Sequence, residues 1–591
     1  MPLLESKPPV TGPERPAETE FLPPSFENLR SPGAARIIAL YSSLTVVERI
    51  AIFSSIFILG FAYGLDNLVR NTYEPYATSS FGEHSLLSTI NVILSIVAVA
   101  AQPTAAKIAD VFGRVELVGF STFLYVIGTA VVASSKNIST YAGGSVIFKC
   151  GQSMLKVLNS IIVSDLTSTR SRVFFSYTPI APALITTWVS GNVANSVLSV
   201  TNWQWGIGMW CIILPASALP LIVSLLAVTQ RTKKQDPVKL QQHKSPIRVL
   251  GVWKFLVRLF CMLDVVGIIL LIAIFALFLS PLTIAGGLKD EWKSAHIIAP
   301  IVVSGFCVPV FIYWELKAPR PLVPMTLVKD RAVWAPLGIA VSRNFGYHLQ
   351  SNYLYTMLVV SFDFGVTAAT RISSLFMFVL VVAGPLLGLV IFKVRRLKLF
   401  IIFGTAVYMV GFGLLIRYRG SGSADSRIGV VAGQVLLGVG AGLFSWPSQA
   451  SMQAHLKHEH LAVMTGIFLA CYNVGSALGN TVSGALWTQL LPSSLNKELG
   501  SINSTLAISA YKDPFTAVDE WPMGTPERDA IVRSYQYIQS LITVTGICLC
   551  VPVMLFAVLT RDPKLNDQQT LAVEDASSHG DGHAVEIYRG K

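Results

Sequence analysis

The sequence predicts an all-α membrane protein with about fourteen transmembrane helices. Three observations carry that prediction: an apolar composition, a succession of helix-length apolar runs, and basic residues gathered in the short stretches between them. Of 591 residues, 52% are hydrophobic and 13% are charged, about half the charged share usual in a soluble domain. Mean hydropathy is +0.58. A chain this poor in charge cannot cover its surface against water, so most of it must face lipid.

A bilayer core takes about 20 apolar residues of helix to cross. Such runs centre near Ile56, Val97, Tyr125, Met154, Leu184, Leu214, Leu270, Val303, Gly346, Val381, Met409, Gly438, Tyr472 and Cys548. Lipid offers the backbone no hydrogen-bond partner, so each run is predicted to be helical.

Loop charge sets the orientation. Arg231, Lys233, Lys234, Lys239, Lys244 and Arg248 face a single Asp236, and Lys393, Arg395, Arg396 and Lys398 form a second basic turn. Both fall on the cytoplasmic side if the N-terminus is inside. The stretch from Pro492 to Arg533 then lies outside, with six acids and four bases. It holds the sequon Asn503-Ser504-Thr505, a glycosylation candidate at Asn503. Arg419 and Arg427 also fall outside, against the same charge rule.

The net charge of +12 is accounted for by those loops. No nucleic-acid partner is expected, since no basic face is organised on a soluble fold. The seven cysteines all lie in or beside apolar runs and predict no disulfide framework. The proline-rich start, through Arg36, lacks the basic-then-apolar order of a cleaved signal peptide. It reads as an attached, disordered tail. His579 and His583 in the polar C-terminal stretch read as solvated, with metal binding the lesser alternative.

The turn after the run near Val97 reads Ala106-Lys107-Ile108-Ala109-Asp110-Val111-Phe112-Gly113-Arg114. It resembles the loop signature of the major facilitator superfamily, with Ala106 where the family has Gly. A carboxylate at a helix end and an arginine beyond a tight turn suit a latch that breaks when the inner gate opens. Lys107, Asp110 and Arg114 are therefore gating candidates. Lys393 to Lys398 is the corresponding turn of a second repeat and lacks the Asp, as a degenerate repeat allows.

Further motifs narrow the resemblance. Tyr63-Gly64-Leu65-Asp66, Arg70, Tyr73 and Ala77 to Leu87, Gln102-Pro103, Phe174 to Tyr177, Ala369 to Leu375, His460 to Val463, Tyr472 to Ala477, Ser483 to Trp487, Gly524 to Arg528 and Arg561 to Leu565 occur in order. Together they resemble the fungal siderophore–iron transporters over about Thr45 to Leu565. The resemblance implies a major facilitator fold with two six-helix bundles plus two extra helices. It places a cytoplasmic tail at 1–44, the first bundle at 45–228, a basic linker at 229–259 and two additional helices with a cytoplasmic loop at 260–332. The second bundle, with an external loop at 492–534, spans 333–560, and a second cytoplasmic tail spans 561–591. It further implies import of an intact ferric siderophore driven by protons, by a monomer in the plasma membrane or in endosomal vesicles. It also implies a role for aromatics near the last external loop, here Phe515, Trp521, Tyr535 and Tyr537, although Tyr and Trp also line membrane interfaces.

Charged residues inside membrane helices are costly and mark function. Asp66 is predicted to close the first helix and is the leading coupling candidate. Arg70 and Glu74, four apart, suit an ion pair, and Tyr73 lies between them. Lys149, Gln152, Lys156 and Asn159 fall on one helical face, a stripe suited to anionic or oxygen-rich cargo. Arg343, Tyr347, His348, Gln350 and Tyr353 offer donors and aromatic walls for a ferric chelate. The chelator fills the iron shell itself, so no protein ligand to metal and no cofactor are expected.

Alternatives remain on the same fold: a glutathione–proton exchanger, a haem importer, or a drug or toxin exporter. The last is disfavoured because the run from Pro179 to Asn192 lacks the Gly-Pro-rich antiporter pattern. A membrane enzyme is disfavoured by the absence of a phosphate loop, a nucleophile elbow or a zinc-helix motif. A non-transporting sensor of the same fold stays open.

Overall fold

The computed structural model describes residues 44–81, 87–235, 263–285, 291–318, 325–420, 423–456, 458–499, 504–512 and 520–565, with positions 253, 260, 514 and 518. Asn503, Phe515, Cys261, His579 and His583 lie outside them.

Among the described residues the chain is helical throughout. The first group comprises α1 (Val46–Ser80), α2 (Leu87–Phe112), α3 (Arg114–Ala133), α4 (Ile138–Leu166), α5 (Thr169–Phe175), α6 (Ala183–Val200), α7 (Trp203–Gly208) and α8 (Trp210–Gln235). A hairpin follows, α9 (Val265–Ile284) and α10 (Ala295–Lys317). The last group comprises α11 (Met325–Val328), α12 (Arg331–Ser351), α13 (Leu354–Val360), α14 (Val366–Val394), α15 (Lys398–Arg417), α16 (Ala424–Gln453), α17 (His458–Leu499), α18 (Ser504–Lys512) and α19 (Pro526–Leu559).

Every predicted span centre falls in one of these helices. Twelve are long and apolar enough to cross a membrane. The other two are α6 and α12, which hold polar residues mid-helix, Asn192 and Asn195 in α6 and Arg343, Asn344 and His348 in α12. α12 is largely buried, as a polar helix in a membrane protein should be, whereas Asn192 and Asn195 of α6 lie at its surface.

The helices from α1 to α8 share one apolar core, running from Ile52 to Val228. The helices from α12 onward share others, around Tyr408 and Phe412, around Leu495 and Tyr535, and around Met464 and Phe468. The α9–α10 hairpin lies against the seam between the two groups, with Leu279 packed on Val92 and Ile96 of α2 and Ala477 of α17. It is pinned by Trp314, which donates to Asp264 at 2.6 Å, and by Ser304, which donates to the Ile274 carbonyl at 2.8 Å.

Two boundaries differ from expectation. The first helix does not close at Asp66 but continues to Ser80. Asp66, Arg70 and Glu74 repeat at one helical face, so the charge that suggested a loop is buried inside the bundle. At 1.5 Å per residue, the 42-residue α17 is about 63 Å long, twice the hydrocarbon thickness. Its last turns therefore leave the bilayer and shorten the external loop. There Leu491, Leu495 and Leu499 pack on α18 and the start of α19.

The arginines that opposed the charge rule are held locally. Arg427 donates to the Phe362 and Asp363 carbonyls at 2.8 Å and pairs with the Asp363 carboxylate at 3.3 Å. Arg419 donates to the Ile416 carbonyl at 2.9 Å. Arg528, 1% exposed, gathers the Val518, Trp521, Val359 and Val360 carbonyls. It thereby staples the start of α19 to α13.

Candidate substrate and coupling site

Asp66 is fully buried. Its Oδ2 accepts from Arg70 at 3.0 Å and from the Tyr125 hydroxyl of α3. Its Oδ1 is buried without a hydrogen-bond partner. Arg70 also reaches Thr129 at 3.4 Å, and its guanidinium lies 3.8 Å from the centre of the Phe148 ring. The ion pair anticipated between Arg70 and Glu74 is thus made with Asp66 instead, one turn the other way. Orientation decides this, since Asp66 faces the centre between α3 and α4. Glu74 acts on Lys149 and Arg70 from the same face and approaches Asn91.

On α4, Lys149 donates to Gln152 at 3.4 Å, and Gln152 donates to Asn67 of α1 at 3.4 Å. Both lysines, Lys149 and Lys156, keep part of their surface open on a helix that is otherwise interior. Asn159 is fully buried, and neither of its side-chain polar atoms has a hydrogen-bond partner.

Across the seam, α12 presents Arg343, which is 8% exposed. Its guanidinium sits 5.3 to 5.5 Å from the ring centres of Phe376, Tyr347 and Tyr472. It donates to the Asn344 side-chain oxygen at 2.5 Å, while its Nε is buried and unpartnered. Asn344 in turn donates to the Tyr472 carbonyl and to Ser476 of α17, at 2.7 and 2.8 Å. Tyr347 stacks on Phe376 at 4.3 Å. His348 stands edge-on to Tyr347, with ring centres 5.1 Å apart.

Other candidates lie elsewhere. Tyr73 is buried with its ring against Gly206. Gln350 accepts from the Gln434 side-chain amide at 3.1 Å. Tyr353 stacks on Trp487 at 4.0 Å, and Trp487 meets Tyr535 edge-on. Tyr535 is walled in by this cluster, and Tyr537 is half exposed on the other side of α19. Among the described residues, no cluster of His, Cys, Asp or Glu suits a metal.

At the inner turn, Arg114 has a partner from beyond the motif. Arg114 pairs with Asp165 at the end of α4, at 3.3 Å. The Asp110 side chain lies outside the described residues. Lys107 is 9% exposed. The matching turn at 393–398 does have a carboxylate, brought by the segment just after α19. Asp562 accepts from Arg396 at 3.0 Å and from the backbone of Leu397 and Lys398 at the start of α15. Sequence alone gave no sign that a residue some 165 positions on fills the degenerate repeat.

The two groups are tied on this same side. Gln449 donates to Ser160 and Gln453 to Ser164, each at 3.2 Å. Tyr177 donates to the Gly442 carbonyl at 2.8 Å, Arg170 to the Phe392 carbonyl at 2.8 Å, and Asn473 to Gln102 at 2.9 Å. Gly384 lets Tyr177 in: a Cβ there would stand 1.9 Å from the ring.

This arrangement has relatives. The profile of the Major Facilitator Superfamily matches residues 52–328 and 339–494. Siderophore iron transporter 1 of Saccharomyces cerevisiae is 40% identical over 558 residues, 93% of this chain and 88% of the relative. The chain belongs to the siderophore–iron transporter family of the major facilitator superfamily. Within that family, siderophore iron transporter mirC of Emericella nidulans is 34% identical over 93% of this chain and 90% of its own. A low affinity heme transporter, str3 of Schizosaccharomyces pombe, is 28% identical over 93% and 88%. The fold agrees with a solved peptide transporter, POT in complex with alafosfalin, at a TM-score of 0.51 and 14% identity over 89% of this chain and 99% of that one. The family member described here is a multi-pass membrane transporter and not an enzyme.

Proposed function

We propose that the protein imports intact ferric siderophores by proton symport, as a monomer at the cell surface. The observation that carries the cargo is the 40% identity, over 93% of the chain, to a siderophore iron transporter. The heme transporter is a more distant relative at 28%, which ranks the haem reading second.

The observation that favours protons is Asp66. A carboxylate buried in a membrane protein is expensive unless paired. Here Arg70 and Tyr125 both use Oδ2, and Oδ1 is left over. That oxygen is where an incoming proton binds. A neutral Asp66 holds Arg70 less tightly and frees it to shift on the Phe148 ring. Because α1 and α4 share this network through Asn67 and Gln152, the shift reaches the helix that presents Ser160 and Ser164 to the inner seam. Cargo enters between Lys149, Lys156 and the Arg343 cage, and the seam then parts. Arg114–Asp165 and Asp562 hold the two inner turns rigid so that each group rocks as a unit.

The test is uptake in an iron-starved yeast lacking its own siderophore importers. Labelled ferric siderophores, haem and glutathione are offered at two external pH values. Siderophore uptake that rises as external pH falls supports the reading. Siderophore uptake indifferent to pH removes the proton, and movement of haem or glutathione alone removes the cargo.

A further inference from the structure

We propose that a cavity in the second group, at the end away from the inner turns, holds the phosphate of a membrane phospholipid, with Arg417, Arg419 and Arg533 as its cations. The cavity measures about 620 Å³, within the roughly 300–1,000 Å³ usual for small-molecule sites. It lies where α15 ends and α16 begins, beside the early turns of α19. Because α15 starts at the basic inner turn, its far end is the outer one. The walls are held in place by packing. The Tyr418 ring rests on Gly429 of α16, where a Cβ would stand 2.1 Å from it, and Gln536 of α19 donates to the Gly420 carbonyl.

Arg419 spends its Nε on the Ile416 carbonyl at 2.9 Å, and Arg533 spends its own on Glu498 at 2.8 Å. The terminal nitrogens of both guanidinium groups are left for another acceptor. Among the described residues, Arg417 makes no ion pair or hydrogen bond. Three arginines thus stand against two carboxylates, Asp425 on the wall and Glu498 beside it, a surplus of one positive charge. Placement decides between a soluble anion and a lipid. Arg417 falls on the same face of α15 as Phe403 and Val410, and Arg533, Tyr537 and Ser540 fall on the same face of α19 as Val544, Val551 and Leu555. Those apolar side chains are exposed, as side chains against acyl tails are. A phosphodiester in the cavity lays its tails along these two faces. Its single negative charge matches the surplus, and guanidinium forks suit phosphate oxygens. Tyr537, half exposed, stands where aromatic rings meet headgroups. Arg419, which runs against the charge rule, has an anion to meet at this end of the bundle.

The full chain is purified in neutral detergent, and its melting temperature is followed during titration with lipid. The ligands are phosphatidylglycerol, phosphatidylcholine with the same tails, and glycerol phosphate, which has the phosphate and no tails. A ligand of the folded state raises the melting temperature, and the titration yields an apparent affinity. Phosphatidylglycerol should bind about fivefold tighter than phosphatidylcholine, roughly what one charge at a membrane surface gives, and glycerol phosphate should not bind in the same range. Arg417→Gln, which gives up no contact within the chain, should weaken phosphatidylglycerol about fivefold, and Arg417→Gln with Arg419→Gln about twentyfold. Lys136→Gln, at an exposed position between α3 and α4 on the same side of the membrane, should leave it unchanged. Undiminished binding to Arg417→Gln overturns the proposal. An equal loss in Lys136→Gln overturns it too, as general surface charge. Phosphatidylcholine bound as tightly removes the charge match, and glycerol phosphate bound as tightly makes this a site for soluble phosphate; either result overturns the lipid.

Discussion

The two sides of the central seam handle buried charge in opposite ways. On α1 and α3, a cation is matched by a carboxylate: Arg70 lies on Asp66, and Tyr125 supports the same oxygen. On α12, a cation is surrounded by rings and amides: Arg343 has Tyr347, Phe376, Tyr472 and Asn344. The first arrangement contains a group that changes charge with a proton. The second contains only a group that keeps its charge at any physiological pH. The proposed mechanism uses that difference: the proton is handled in the first group of helices, and the second sets a fixed cation beside the path of the cargo.

The largest expected effect comes from removing the titrating side. Asp66→Asn leaves Arg70 buried without its carboxylate, a cost of about 3–5 kcal/mol. Uptake should fall at least about 100-fold, while equilibrium binding of chelate to membranes is retained. Loss of binding along with uptake would contradict the assignment. Next is the cationic side. Arg343→Gln should weaken binding about tenfold and leave the dependence of uptake on external pH unaltered. Asn344→Asp sharpens this, because it sets a carboxylate beside Arg343 and erases the contrast between the two sides. It should weaken binding of the transported chelate by a similar factor, and binding that is unchanged or tighter would refute the contrast.

Tyr125→Phe removes one of two donors to Asp66, worth about 1.5–3 kcal/mol for a bond to a charged group. Uptake at neutral external pH should drop several-fold. Uptake equal to that of the unaltered chain would show that the Tyr125 hydroxyl has no part in holding Asp66. The smallest effect is expected from Asp562→Ala, at a partly exposed ion pair of about 1 kcal/mol or less. Transport should slow about twofold to threefold with binding unchanged.

Much of the fold was legible because lipid is an unforgiving solvent. A run of about 20 apolar residues has one way to satisfy its backbone there, and all fourteen run centres, from Ile56 to Cys548, fall in helices. The site was legible by residue and less by role. Charges inside apolar runs are conspicuous, so Asp66, Arg70, Lys149, Lys156 and Arg343 stood out. Their partners did not. Tyr125 is one aromatic among many in its run, Asp165 is a lone acid at a helix end, and Phe376 carries no polar mark at all.

Arg427 and Arg528 show the reverse. Read as loop charges they conflicted with the orientation or said nothing, and both turn out to be bound to carbonyls of the outer turn. Gly475 and Gly479 pack α17 onto α12 within one group, and Gly384, Gly388 and Gly466 lie where the two groups meet.

The sequence by itself determined that the chain is a bundle of membrane helices, which way its basic loops pull it, and which side chains are too costly in lipid to be there without a use. Those follow from transfer out of water, a property each residue has alone. Tertiary structure decided which carboxylate meets which cation: Asp66 rather than Glu74 for Arg70, Asp165 for Arg114, Asp562 for the second inner turn, and, among the described residues, none for Arg343. Pairing depends on where two distant helices place their faces, within the few ångströms over which an ion pair or a hydrogen bond is made, and spacing along one chain does not contain that distance.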